Sequence, residues 1–252
     1  KEVFFEKGLQ NRKFNMARAV LDADGIISLP KLKTHGLTRF TGCIKNQFGC
    51  IVGMNKGEFH VKLPDAHEFC RMLVDVNNFV KPRLYIMDGI MAMEGNGPRG
   101  GNPRAMNVLL CSTDPVALDA TACRLINLDP LNVPTTLYGH EAGTGTYLEE
   151  EIELPGDDPA GFFTPDFNVD RLPVKPYRKN ALMPLLSNSL VAKPVMDAGK
   201  CNQCGTCIAN CPVEGKAVNW NNGDTSRAPV FDYDKCIRCY CCQEICPEQA
   251  IT

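Results

Sequence analysis

The chain has 252 residues, 44% of them hydrophobic and 22% charged, long enough for one full-sized domain and a smaller one. Its 27 basic and 29 acidic residues leave a net charge of −2, which gives no general pull toward nucleic acid or an anionic membrane. No run of about 18 uninterrupted apolar residues occurs, so no segment reads as a membrane span.

The chain begins Lys1-Glu2-Val3-Phe4-Phe5, without an initiator Met, a basic n-region or an apolar signal core. We expect it to be processed or incomplete at its N-terminus. Gly25–Leu29 is a short apolar run suited to a buried strand, and 37–51 carries helical signals weakened by Gly42 and Gly49. Pro64-Asp65 opens an amphipathic stretch with Ala66, Phe69, Met72, Leu73, Val76 and Phe79 at helical spacing, stopped by Pro82. Arg83–Ile90 and Asn107–Ser112 read as buried strands. Asp114-Pro115 is an N-cap followed by Pro at the first helical position, launching a helix over 116–128. Alternating strands and helices predict an α/β main domain, a sheet with packed helices, over 1–154.

Prolines 155, 159, 165, 173, 176, 184 and 194 crowd the next interval, which predicts an irregular surface connection over 155–195. A second domain follows over 196–252. Its cysteines carry the strongest signal in the chain.

Cys201-x2-Cys204-x2-Cys207-x3-Cys211-Pro212 is repeated 35 positions on as Cys236-x2-Cys239-x2-Cys242-x3-Cys246-Pro247. Both fit the C-x2-C-x2-C-x3-C-P spacing of bacterial ferredoxins. Three closely spaced thiolates on a tight loop reach three corners of an iron–sulfur cubane, and the fourth points at the other cluster. The spacing therefore predicts two [4Fe–4S] clusters, one on Cys201, Cys204, Cys207 and Cys246, the other on Cys236, Cys239, Cys242 and Cys211. Zinc sites pair their ligands differently, and a disulfide framework belongs to small secreted chains. Cys241 falls outside the spacing and reads as a non-ligand whose sulfur donates weakly to the cluster. Val218–Trp220 and Pro229–Tyr233 predict a hairpin between the runs, completing a small α+β domain that resembles a two-cluster bacterial ferredoxin.

The main domain has its own motifs. Leu29-Pro-Lys-Leu-Lys-Thr-His-Gly, Thr41-Gly-Cys-Ile-Lys-Asn, Lys56-Gly-Glu-Phe-His60, Asp88-Gly-Ile, Glu94-Gly-Asn-Gly-Pro and Ser112-Thr-Asp-Pro-Val-Ala-Leu-Asp119 together resemble the DUF362 family over residues 18–145. The resemblance implies a C-terminal two-cluster ferredoxin module and further sequence ahead of the Pro-Lys-Leu-Lys motif. It leaves the chemistry of the main domain open.

Gly95-x-Gly97-x-x-Gly100 matches a dinucleotide fingerprint in form, but Pro98 and Pro103 interrupt and a strand follows, so it reads as a plain glycine-rich loop. His35, His60, Asp88, Glu94, Asp114 and Asp119 are candidates for a metal or acid–base site, although Asp114 also serves as an N-cap and Asp88 precedes a turn glycine. Residues 31–60 hold five basic side chains against one acid, with five interleaved glycines, whereas 141–170 hold nine acids and no Lys or Arg. Lys31, Lys33, His35, Lys45, Asn46, Lys56 and His60 thus form either a solvated basic face or a site for a small anionic ligand or acidic partner.

These residues predict an iron–sulfur electron-transfer protein whose α/β domain supplies a docking or substrate site. One alternative is a reductase acting on a small anionic substrate held by segment 31–60; another is a structural iron–sulfur module that binds a partner. A redox partner protein is expected, with no nucleic acid and no membrane span. Free cysteines beside oxygen-sensitive clusters point to a reducing cytoplasm and an anaerobic host.

Overall fold

The computed structural model describes residues 1–52, 55–175 and 193–252. The fold divides into two units: Lys1–Asn55 with Ala66–Lys175, and Lys56–Asp65 with Pro176–Thr252.

The first unit opens with an antiparallel hairpin of β1 (Glu2–Phe4) and β2 (Lys13–Asn15). Its loop is fastened by Asp75, whose buried carboxylate accepts from the backbone N–H groups of Leu9, Gln10 and Asn11 at 2.9, 2.7 and 2.7 Å. A carboxylate taken out of water needs such partners. After α1 (Arg18–Asp22) come β3 (Ile27–Ser28), β4 (Lys31–His35) and β5 (Arg39–Phe40). The strand expected at 25–29 is therefore present, but only two residues long.

The helix expected over 37–51 does not form as one piece. The chain makes β5, then α2 (Cys43–Asn46) and a 3-10 turn, Gln47–Cys50. Gly42 causes the break: its φ of +25° and ψ of −154° lie outside the helical region, and a Cβ there would come within 2.1 Å of Asp119 Oδ1. Next are α3 (Asn55–Lys62), all but its first residue in the second unit, and α4 (Ala66–Val80). As the spacing predicts, α4 buries Ala66, Phe69, Met72, Leu73 and Val76. Its Phe79 packs against the rings of Phe5 and Phe14.

β6 (Leu84–Glu94) and β7 (Asn102–Ser112) are both longer than their sequence signals and pair antiparallel. Pro103 is accommodated because, among the described residues, β7 has a partner on one side only. β3 and β4 run parallel to β6 along its other edge, and β5 pairs antiparallel with β4, giving a mixed sheet. The Gly95–Gly100 loop joins β6 to β7 and opens no helix. Gly97 is required there, since a Cβ would meet Thr34 O at 2.0 Å.

Helix α5 (Pro115–Leu125) starts where expected, with Asp114 accepting from the Val116 and Ala117 N–H groups at 2.8 and 2.9 Å. It ends short of 128, and α6 (Pro134–Glu141) follows. Leu32, Tyr85, Met87, Met106 and Val108 of the sheet pack with Leu118, Ala122 and Leu125 of α5. Each large apolar side chain buried this way contributes about 1.5–3 kcal/mol. Phe167 and Val169 belong to the same core, so the part of the expected connection from 155 to 175 packs within the first unit. The remainder from 176 to 192 lies outside the described residues.

In the second unit, α7 (Thr206–Ala209) and α8 (Cys241–Ile245) each follow a cysteine loop, and β8 (Val218–Asn219) pairs antiparallel with β9 (Val230–Phe231), the expected hairpin in shortened form. The 35-residue sequence repeat is a structural repeat as well. Gln203 and Arg238 take φ of 57° and 55°, and Gly205 and Tyr240 take 71° and 57°. The N–H groups of Asp197 and Asp232 donate to Ala250 O at 2.7 Å and Ala217 O at 2.8 Å. Met196 bridges to Ile251 as Phe231 pairs with Val218. Ala217, Val218, Ile251, Met196, Ile208 and Phe231 form a small core with the cysteines.

Candidate metal centre

Each half of the second unit folds its first three cysteines onto a tight loop because two residues accept left-handed backbone, one just before the second cysteine and one just after it. The helix that follows begins one residue before the third cysteine and carries the chain to the fourth. The result is two hollows, each lined by four cysteines. Cys201, Cys204, Cys207 and Cys246 line one, with Met196, Pro229 and Ile251. Cys211, Cys236, Cys239 and Cys242 line the other, with Val218, Phe231 and Tyr240.

The donor set fits an iron–sulfur group. It is all sulfur, four to a hollow, and the sulfurs surround a space; among the described residues no three Cys, His, Asp or Glu side chains converge to hold a single ion. Backbone N–H groups approach the last sulfur of each run alike: Ala217 donates to Cys211 Sγ and Ala250 to Cys246 Sγ, both at 3.3 Å. The second cysteine of each run has a side-chain neighbour: Thr206 Oγ1 lies 3.2 Å from Cys204 Sγ, and the Cys241 thiol hydrogen-bonds Cys239.

Electrostatics repeat across the halves. The hydrogen bond with Thr206 holds the Cys204 thiol below its ordinary range, and that with Cys241 does the same for Cys239. Burial pushes Cys207 up to about 11 and raises Cys242 and Cys236. Cys241, which gives its hydrogen bond to Cys239, is itself raised far above a free thiol, first by that bond and then by burial. The two hollows differ in exposure. Cys204 is open to solvent, while Cys211 and Cys242 are each 8% exposed.

The basic segment is divided between the units. Lys56 and His60 lie on α3 in the second unit, where Gly57 sits against Pro212: a Cβ on that glycine would be 3.0 Å from Pro212 Cβ. Lys31, Lys33, His35, Lys45 and Asn46 stay in the first unit, on β4 and α2. Most have identified partners. Lys31 pairs with Asp88, lowering that carboxyl's pKa, and Lys33 donates to Pro98 O at 3.2 Å. Nδ1 of the buried His35 accepts from the Leu37 and Thr38 N–H groups at 3.1 and 3.4 Å, and Asn46 donates to Ser28 Oγ at 3.1 Å. Beside them, the hydroxyls of Thr34 and Thr41 are buried with no hydrogen-bond partner. The acidic candidates are also engaged: Glu94 accepts from the Asn168 N–H, Asp114 caps α5, and Asp119 accepts from the N–H groups opening α2.

Asp75 and its clamp on the N-terminal loop went unread in sequence; an acid in the middle of an apolar helical face was the signal. Among the described residues no helix is long and apolar enough to cross a membrane.

Over 121 residues the chain is 43% identical to the thylakoid-associated protein sll1697 of Synechocystis, an alignment covering 48% of this chain and 38% of that protein. The chain thus matches well under half of that relative's length. No solved structure matches. The model of a domain of unknown function, DUF362, matches residues 1–124, and that of a 4Fe-4S dicluster domain matches residues 193–247. The chain therefore carries a DUF362 domain followed by a 4Fe-4S dicluster domain.

Proposed function

We propose that this chain is an iron–sulfur electron-transfer protein holding two [4Fe–4S] clusters. Cys201, Cys204, Cys207 and Cys246 would hold one; Cys236, Cys239, Cys242 and Cys211 the other. The observation that carries the reading is the crossing: the fourth cysteine of each run lines the hollow formed by the first three of the other. A cluster so bound takes up and releases single electrons, and the surrounding protein sets its potential through hydrogen bonds and exposure. The first unit then serves as a docking or substrate site for a redox partner, in a reducing compartment where Cys43, Cys70 and Cys123 remain thiols. The thylakoid association in the relative's name makes a membrane-associated redox protein the first partner class to screen.

The test is anaerobic reconstitution with metal analysis. About eight iron and eight labile sulfide per chain are expected. Cys211→Ala should remove the cluster of the second run and Cys246→Ala that of the first; stoichiometric zinc with little iron would refute the reading.

One observation favours a second reading, in which the first unit binds a small anion. The partnerless hydroxyls belong to Thr34, which follows Lys33 on β4, and to Thr41, just past the end of β5, and Thr41 N–H donates to Lys33 O at 2.9 Å. Calorimetric titration of the holoprotein with inorganic phosphate should show binding that Lys33→Ala weakens; absence of heat in the wild type defeats it.

A further inference from the structure

The internal repeat makes the two hollows nearly equivalent, which isolates one chemical difference between them. Thr206 and Cys241 occupy the same position 35 residues apart. Each is the first residue of its helix, and each follows a left-handed residue, Gly205 or Tyr240. The shared backbone geometry presents both side chains to the second cysteine of their own run. Thr206 Oγ1 is 3.2 Å from Cys204 Sγ, and the Cys241 side chain hydrogen-bonds Cys239.

A cysteine bound to iron has no proton to give, so in the loaded protein its sulfur only accepts. The hydroxyl at 206 and the thiol at 241 must then donate. O–H is a strong donor and S–H a weak one. A hydrogen bond to a ligand sulfur stabilises the more negative, reduced state and so raises the potential.

We infer that Thr206 and Cys241 are paired positioning residues that set the two cluster potentials apart, the hydroxyl raising the potential of the first site and the thiol leaving that of the second lower. The inference rests on the two-cluster reading above, and the two fail separately. Iron and sulfide content tests the reading; the potentials test the inference.

The experiment is an anaerobic redox titration of the full reconstituted chain, followed by electron paramagnetic resonance. Cys241→Ser, which exchanges a weak donor for a strong one at nearly constant size, should shift one midpoint upward. Cys241→Ala should shift the same midpoint downward, and Thr206→Val should lower the other. All three variants should keep the wild-type iron content. Unchanged midpoints in both Cys241→Ser and Thr206→Val, with clusters intact, overturn the inference. So does a downward shift in Cys241→Ser. Loss of a cluster in Cys241→Ala would also overturn it, by making Cys241 a ligand.

Discussion

The backbone N–H of Cys43 donates to Asp119 Oδ1 over 2.6 Å, joining residues 76 positions apart and fixing the start of α2 against α5. Burial raises the Asp119 carboxyl to about 7, although the N–H groups of Cys43 and Ile44 favour its charged form. In the unfolded chain an aspartate titrates near 3.9. Between these values the folded protein binds more protons than the unfolded one. Its contribution to stability is therefore full below the unfolded value and is lost as pH rises through about 7. Urea unfolding from about pH 5 to 8 should show this decline in the wild type and a flatter profile in Asp119→Asn; equal slopes would show that the carboxylate is ionised throughout.

Asp114 holds more than its own helix. Besides the two N–H groups that open α5, it accepts from Thr146 N–H at 3.0 Å. Asp114→Ala should cost about 1–2 kcal/mol of stability, read from the urea midpoint, and Asp114→Asn less. No difference between the two variants would mean that water replaces the cap without loss.

Gly97→Ala should be destabilising by about 1–3 kcal/mol, because the new methyl would press on the backbone oxygen of Thr34 and a strand cannot yield as a side chain can. Gly156→Ala, where a Cβ meets nothing within 4 Å, is the control. Equal melting temperatures would show that the loop after β6 can shift at little cost.

The hollows should also differ in lability. Cys204 faces solvent, whereas Cys211 and Cys242 of the other set are buried. On the two-cluster reading, limited air exposure or an iron chelator should bleach the spectroscopic signal of the first-run site before the second. Time courses that run together, or in the reverse order, would show that exposure of this ligand does not govern attack.

The sequence showed most where residue type leaves the backbone little choice. Eight cysteines at fixed spacing, each fourth one before a proline, divide into the same two sets of four that line the two hollows. The apolar rhythm of 66–79 and the Asp114-Pro115 start were equally plain. What escaped was set by distant partners. Segment 37–51 carries helical signals weakened by its glycines, and the approach of Asp119 to Gly42 explains where it breaks. Strand β4 hid inside a run of cations because Lys31 and Lys33 alternate with the buried Leu32 and Thr34, with charge on the half-buried positions. The place of 155–175 was obscured by its prolines, since a chain without regular structure can still bury Phe167 completely.

The two cysteine runs look like self-sufficient copies, yet on the two-cluster reading neither would work alone. A fragment ending between Cys211 and Cys236 would keep three cysteines of one hollow and a single one of the other. It would also lose the pairing of Met196 with Ile251, because those residues come from opposite ends of the repeat. An isolated half could complete its ligand sets only by trading its fourth cysteine with a second half-chain. Joining the halves in one polypeptide would turn that exchange between molecules into an exchange within one, so that loading with iron would no longer depend on protein concentration.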